Sequence, residues 1–416
     1  MENYTYGIDY ARDLDQKDPL AKVRERFYLL PGTIYMDGNS CGLCSVEAEQ
    51  ALLHSLEAWK KNGFAWWDQS DEKGRPYSKL AIGIGQRLAG LIGARPDEVA
   101  VSDTTTINIH QCLATFYHPT AQRYKILVDE LNFPTDRYVV DSQVALHGLD
   151  AQQAVKVVKS RDGRMIEEDD IIAAMTDDVA VAFFPSVYYR SAQLLDMKRV
   201  AAAAKERGII VGFDLCHSIG VVDHNFEEIE PDFAVWCNYK YISGGPGAMA
   251  ALYINRRHFD RGPGLAGWQG NRQDTKMDFL NHFEHEKNAT GWQLGTLSLF
   301  SMASLSGALD IYSALSMEQV REKSLRITRY LMQLIDERLT QFGFSVGNPR
   351  DDARRGGHVA LEHEQARRIS ELLMQKGVVP DFRPPNVIRL APVPVYISYE
   401  DVFHLVEILE EIGRSL

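Results

Sequence analysis

The chain has 416 residues, is 45% hydrophobic and 25% charged, and carries a formal net charge of −12. That is globular composition with length for one or two domains. The acidic balance, without any Lys/Arg block, argues against nucleic acid or a membrane surface as a partner. No apolar run reaches the roughly 18 residues that a membrane span needs, and the polar start MENYTYGIDYARDLDQKD does not read as a signal peptide.

Residues 1–35 are expected to form a helical arm, with Asp18-Pro19 opening the segment LAKVRERFYL. A short strand at 34–36 ends in the turn cluster Asp37-Gly38-Asn39-Ser40. Cys41-Gly42-Leu43-Cys44 has C-x-x-C spacing, but no second pair completes a metal site, and none is expected. The five cysteines, an odd number, fit a reducing, cytoplasmic setting. Apolar residues at helical spacing predict helices over 46–61 and 80–92.

From residue 98 the chain alternates strand and helix. Strands are predicted at 98–101, 124–128, 179–184, 209–213 and 248–254, with helices through Phe116, after Phe133-Pro134, and over 196–207 with Gly208 as its stop. The fold class that follows is α/β: a mostly parallel, doubly wound sheet with helices on both faces. In such sheets the site lies at the carboxyl ends of the strands, where Asp103, Phe133, Ser186, Asp214 and Lys240 all fall. Residues 300–340 read as one long helical segment. GFSVG, HVALEH, VVPDF and VIRLAP then read as strands, and 365–376 and 399–412 as helices, giving a smaller α+β domain. The loop DDARRGG at 351–357 is expected to be exposed. The expected division is an N-terminal arm (1–45) packing with the small domain, a large domain (46–300) and a C-terminal small domain (301–416).

The chemistry centres on 232–247, DFAVWCNYKYISGGPG. An apolar run delivers Lys240 to a polar exit followed by a glycine turn. A desolvated amine has a lowered pKa and condenses with aldehydes; a lysine that merely snorkels at a strand end reads the same way. Thr104-Thr105-Thr106 opens a helix, where hydroxyls and free N–H groups bind phosphate or cap the helix. Asp214 ends an apolar strand and needs a partner: a protonated ring nitrogen, the next segment or His217. Phe133 suits either stacking on a flat ring or core packing. Together these groups describe the requirements of pyridoxal 5'-phosphate (PLP). The 26 residues between Asp214 and Lys240 suit one step of an α/β unit.

FDLCHSIG followed by NYKYISGGPG resembles the class V aminotransferase group of fold-type I PLP enzymes. With IYMDGNSCGL, SDTTTINIHQ, LNFPTDRY, YRSAQLLDM, LAGWQG, GHVALEH and DFRPPNVIRLAPVPVY, the resemblance narrows to the kynureninase family and runs nearly end to end. It implies hydrolysis of L-kynurenine, or 3-hydroxykynurenine, to an anthranilate and L-alanine in tryptophan catabolism, a route toward NAD. It matches Lys240 to the lysine that takes the cofactor aldehyde, Asp214 to the partner of the ring nitrogen and His217 to the histidine beside the ring. Thr105 and Thr106 match the phosphate pair, Phe133 the stacking ring, and Asp136 closes FPTD. Tyr239 matches a proton-donating tyrosine at the phosphate. Trp268 and Thr296 match residues that the second subunit of a homodimer supplies. Arg389 matches the arginine for the substrate α-carboxylate, with Asn39 and Ser40 also at the substrate. The chain departs from the family at Gln269, Asn271 and Thr275, near the aromatic end of kynurenine, where Trp66, Trp67 and Tyr77 offer apolar surface instead. That departure leaves a C–S β-eliminase or an aminotransferase as the alternative, and a silent PLP-binding protein as a third.

Overall fold

The computed structural model describes residues 6–416; the first five residues of the expected arm lie outside the described residues. The arm contains a helix, Ile8–Gln16, and a 3₁₀ turn, Ala21–Arg26, followed by strand β1 (Ile34–Tyr35). Pro19 stands between the two helical pieces, and the Asp18 carboxylate accepts the Leu20 N–H at 2.9 Å, so the second piece starts afresh.

The large domain is built on seven strands: β2 (Val99–Val101), β3 (Lys125–Asp129), β4 (Val155–Val158), β5 (Val179–Pro185), β6 (Ile210–Asp214), β7 (Phe233–Trp236) and β8 (Ala251–Ile254). Their spatial order is β2-β8-β7-β6-β5-β3-β4. Only β8 runs against the rest. The central strands are apolar throughout because helices cover both faces. At Gly212 an added Cβ would sit 2.1 Å from the Phe233 ring of the adjacent strand, so glycine lets that ring lie flat over β6. The edge strand β4, VKVV, was not expected: four residues with two half-exposed in the middle give too little apolar signal.

The predicted helical stretch 300–340 is two helices, Leu299–Tyr312 and Met317–Arg338, because Ser316 starts a new helix with a capping box. The first packs on Val46–Asn62 and Leu80–Leu91, where Gly307 lies against the backbone of Glu47. The small domain holds the antiparallel sheet β12-β13-β10-β9, formed by β9 (Ser345–Val346), β10 (Val359–Glu362), β12 (Asp381–Arg383) and β13 (Val387–Leu390). The helices Ala366–Gln375 and Tyr399–Ser415 complete it. The segment VVPDF supplies two strands rather than one. β11 (Val378–Val379) pairs with β1, and Pro380, lacking an N–H, separates it from β12.

The loop 351–357 is only partly exposed, contrary to its polar composition. Arg355 and the two following glycines are buried. The Arg355 guanidinium donates to Asp352 at 2.5 Å and to the Arg350 and Leu325 carbonyls at 3.2 and 3.3 Å, so its charge is satisfied inside. The arm is fastened to the small domain. Asp15 accepts the first N–H groups of the C-terminal helix, from Tyr399 and Glu400, and the buried Asp18 carboxylate meets Lys323 at 2.6 Å.

Candidate active site

Strand β7 ends at Trp236 and the chain returns as β8, its antiparallel neighbour. This reversal presents Lys240. Ser243, Gly245 and Gly247 have positive φ. A Cβ on Gly244 would lie 2.8 Å from the Asn238 carbonyl, so the turn is tight and glycine is required. The half-buried Lys240 Nζ stands 3.0 Å from His217 Nε2. His217 is buried, and its Nδ1 has no hydrogen-bond partner. Burial, with the charges of Lys240 and Arg389, holds its pKa well below the ordinary value and keeps the ring neutral.

Asp214 ends β6. One oxygen accepts the Cys216 N–H at 2.6 Å, so the carboxylate caps the following turn rather than pairing with His217. Asp136, in the first turn of helix Pro134–Leu146, is also buried, and its Oδ2 has no partner. Burial and repulsion from Asp214 raise its pKa well above the carboxylate range. Phe133, at the start of that helix, is 40% exposed and meets the Tyr189 ring edge-on at 5.4 Å, so it is not core. Thr104 caps helix Thr105–Phe116, accepting the Ile107 N–H at 3.4 Å. Thr105 lies 3.7 Å from Cys216 Sγ, and Thr106 faces solvent. The N–H groups of Thr105 and Thr106 in that first turn are open to an anion. Tyr239 lies half-buried with its ring 6.0 Å from Lys240 Nζ. The nearby Cys237 thiol and burial push its pKa up, so the hydroxyl keeps its proton.

Arg389, 1% exposed, sits on β13 directly opposite Asp381 on β12 and Ala360 on β10. Side chains of opposed residues share a face, and the small Ala360 leaves the guanidinium room. Arg389 pairs with Asp381 through Nε and Nη2. Its Nη2 also donates to Ser40 Oγ at 2.9 Å, and its Nη1 to the Tyr189 carbonyl at 3.1 Å. The buried guanidinium therefore already has a carboxylate beside it. Asp381 carries no sequence signal beyond its place near Arg383, which pairs with it at 2.9 Å. Next to Ser40, Asn39 is fully buried and neither amide atom has a partner. The same segment continues to Gly42, whose N–H bonds the Tyr239 carbonyl at 2.8 Å. A Cβ there would fall 2.4 Å from the Lys240 carbonyl.

The remaining expected residues lie apart. Trp268 is 44% exposed and Thr296 is exposed. Trp268 stacks on Phe279 at 5.7 Å, so an aromatic does follow the departing positions. Gln269 accepts from Lys276 at 2.8 Å, and Asn271 accepts the Arg272 and Glu284 N–H groups at 3.1 and 3.2 Å. Trp66, Trp67 and Tyr77 form their own aromatic group. All five cysteines are free, and among the described residues no cluster of three or more His, Cys, Asp or Glu groups could hold a metal. No helix among the described residues is long and apolar enough to cross a membrane.

The family model described as kynureninase C-terminal domain matches residues 320–409. The kynureninase of Geobacillus thermodenitrificans is 50% identical over 98% of this chain and 95% of its own. That of Bacillus anthracis is 50% identical over 100% and 96%, and that of Shouchella clausii 44% over 99% and 95%. The chain belongs to the kynureninase family. It is therefore a PLP-dependent hydrolase acting on a carbon–carbon bond. Solved structures share the architecture at low identity. A cysteine desulfurase from Thermococcus onnurineus NA1 aligns with TM-score 0.78 at 16% identity, over 95% of this chain and 98% of that one. The cystine C–S lyase C-DES aligns with TM-score 0.78 at 15%, over 92% and 98%. These support the fold alone.

The residues present fit PLP. The unpartnered buried atoms Asp136 Oδ2 and His217 Nδ1, an amine, and an open helix N-terminus lie where the strands end. They match a protonated ring nitrogen, a flat ring, an aldehyde and a phosphate.

Proposed function

We propose that this chain hydrolyses the Cβ–Cγ bond of L-kynurenine, or of its 3-hydroxy form, to an anthranilate and L-alanine in tryptophan catabolism. The observation that supports this best is the meeting of the Lys240–His217 pair with the buried Arg389 cluster, joined by the segment from Ser40 to Gly42, in a chain half-identical end to end to curated kynureninases. PLP, when bound, supplies an electron sink for the carbanion formed at Cα. Lys240 Nζ would hold the cofactor aldehyde and would serve as the base for the α-proton. Asp214 would keep a proton on the ring nitrogen, with Asp136 near enough to feel its charge. Thr105, Thr106 and the N–H groups of their helix orient the phosphate. Phe133 and the neutral His217 would hold the cofactor ring. Arg389, Ser40 and Asn39 bind the α-carboxylate. Tyr239, protonated at neutral pH, delivers a proton as water adds at the γ-carbonyl.

Two copies of the chain share their sites in this reading. Trp268 and Thr296 lie on the surface of a single copy, where a second copy's phosphate would meet them. The enzyme works in the cytoplasm. The division into arm (1–45), large domain (46–300) and small domain (301–416) is supported by the separate sheets. Gln269 and Asn271 are held within their own loop, so their polarity does not favour another substrate. The test is steady-state kinetics on kynurenine, 3-hydroxykynurenine and S-alkyl cysteines. Anthranilate fluorescence is expected and should vanish in Lys240→Ala. Pyruvate from the S-alkyl cysteines with no anthranilate from kynurenine would overturn the assignment.

A further inference from the structure

His358 is absent from the roles assigned above. It is 0% exposed, and neither ring nitrogen has a hydrogen-bond partner. A buried polar group left so costs more than most sites tolerate. It immediately precedes β10, and its own carbonyl accepts from Asn348 at 2.8 Å, which fixes the backbone. Two residues on, Ala360 opposes Arg389. Alternate residues of a strand share a face, so His358 stands diagonally beside Arg389, on the side turned to the large domain. Across the domain boundary its ring meets that of His217, centroids 6.1 Å apart. It thus lies between the arginine and the Lys240–His217 pair. Burial, together with the charge of Arg389, holds the imidazole neutral.

Arg389 is itself heavily committed. Of five guanidinium N–H groups, three are taken by Asp381, Ser40 and the Tyr189 carbonyl, and Nη2 is also in ion-pair contact with Asp381, which leaves at most two for a substrate. A carboxylate offers about four acceptor sites, so two donors leave it partly unsatisfied in a buried place. We propose that His358 is a further donor to the substrate α-carboxylate, its ring N–H adding to the grip of the partly committed Arg389. This rests on the reading that the carboxylate lies at Arg389.

A neutral imidazole has a single N–H. The carbonyls of Tyr189 and Arg190 face the ring, though not at hydrogen-bond geometry. If the N–H turned to one of them, the ring would only position the loop. The experiment separates these cases. The holoenzyme and its His358→Leu, His358→Gln and Arg389→Gln variants are titrated calorimetrically with L-alanine and with ethylamine, which lacks the carboxylate. His358→Leu should weaken L-alanine about 10- to 100-fold, the worth of a hydrogen bond to a charged group. Ethylamine should bind unchanged. His358→Gln, which restores an N–H, should recover most of the loss. Unchanged L-alanine affinity in His358→Leu, or equal weakening of both ligands, would overturn the proposal. If Arg389→Gln also left L-alanine unaffected, the carboxylate site itself would be misplaced; a loss in Arg389→Gln alone would refute only the role of His358.

Discussion

Replacing Asp381 by Asn tests the anion that already occupies the proposed carboxylate site. Arg389 is 1% exposed and Asp381 15%, and they pair through two nitrogens of the guanidinium. Removing one partner of a buried pair costs about 3–5 kcal/mol, since the other charge stays behind. Asn keeps an acceptor and Asp381 is partly wet, so a loss of about 2–4 kcal/mol is expected. Unfolding entropy is about 2.1 cal/mol/K per residue, roughly 0.9 kcal/mol/K for 416 residues. The expected fall in Tm is thus about 2–5 °C by scanning calorimetry of the holoenzyme. Saturating L-alanine should then restore more of the Tm in the variant than it adds to the parent, because the ligand carboxylate replaces the missing anion. A variant as stable as the parent without ligand, or one that gains no more from L-alanine, would refute this account of Arg389.

Asp18→Ala should cost about 3–5 kcal/mol by stranding Lys323, whose side chain is 6% exposed; adding Lys323→Met should recover most of it in urea unfolding, and no recovery would show that the arm is held otherwise. Gly42→Ala should lower kcat/KM at least tenfold with little change in fold, because the new methyl meets Ser243 Oγ at 2.1 Å and the Lys240 carbonyl at 2.4 Å; kinetics beside circular dichroism would check it. Burial, aided by repulsion from Asp381, raises Asp37 to about 6 from 3.8. Its charged form is the costly one, so this group destabilises the fold fully above about pH 6 and ceases to do so below about pH 4. At about 1.4 kcal/mol per unit, reduced by partial exposure, Asp37→Asn should add about 1–2 kcal/mol at pH 7 and nothing at pH 4; parallel stability curves for parent and variant would contradict this.

The expected α/β sheet is present because buried parallel strands leave continuous apolar runs such as FAVW and IVGFD, which sequence shows plainly. The Asp214 and Lys240 positions were legible for the same reason: Asp214 closes one such run, and Lys240 comes four residues after another. What sequence could not show were pairings across strands. Asp381 and Arg389 are eight residues apart and meet only through the β12–β13 register. His358 was visible within GHVALEH, but nothing local says that its ring reaches His217. The buried half of 351–357 was hidden because Arg355 draws its partners from a helix and its own turn. In the same way, nothing in the sequence shows that Gln269 and Asn271 are bonded within their own loop.

The short run from Asp37 to Gly42 touches both halves of the site. Ser40 bonds Arg389 in the small domain, and two residues later Gly42 bonds the Tyr239 carbonyl beside Lys240. Gly38 and Gly42 are pressed so closely that neither could carry a methyl without displacing Tyr396 or the lysine turn. The backbone of this run, which stretches far less than side-chain packing yields, thus sets part of the span between the arginine and the lysine turn. In the proposed reading it gauges a molecule bearing an amine and a carboxylate on one carbon. β-Amino acids, one carbon longer between those groups, would be rejected by the gauge whatever their side chain.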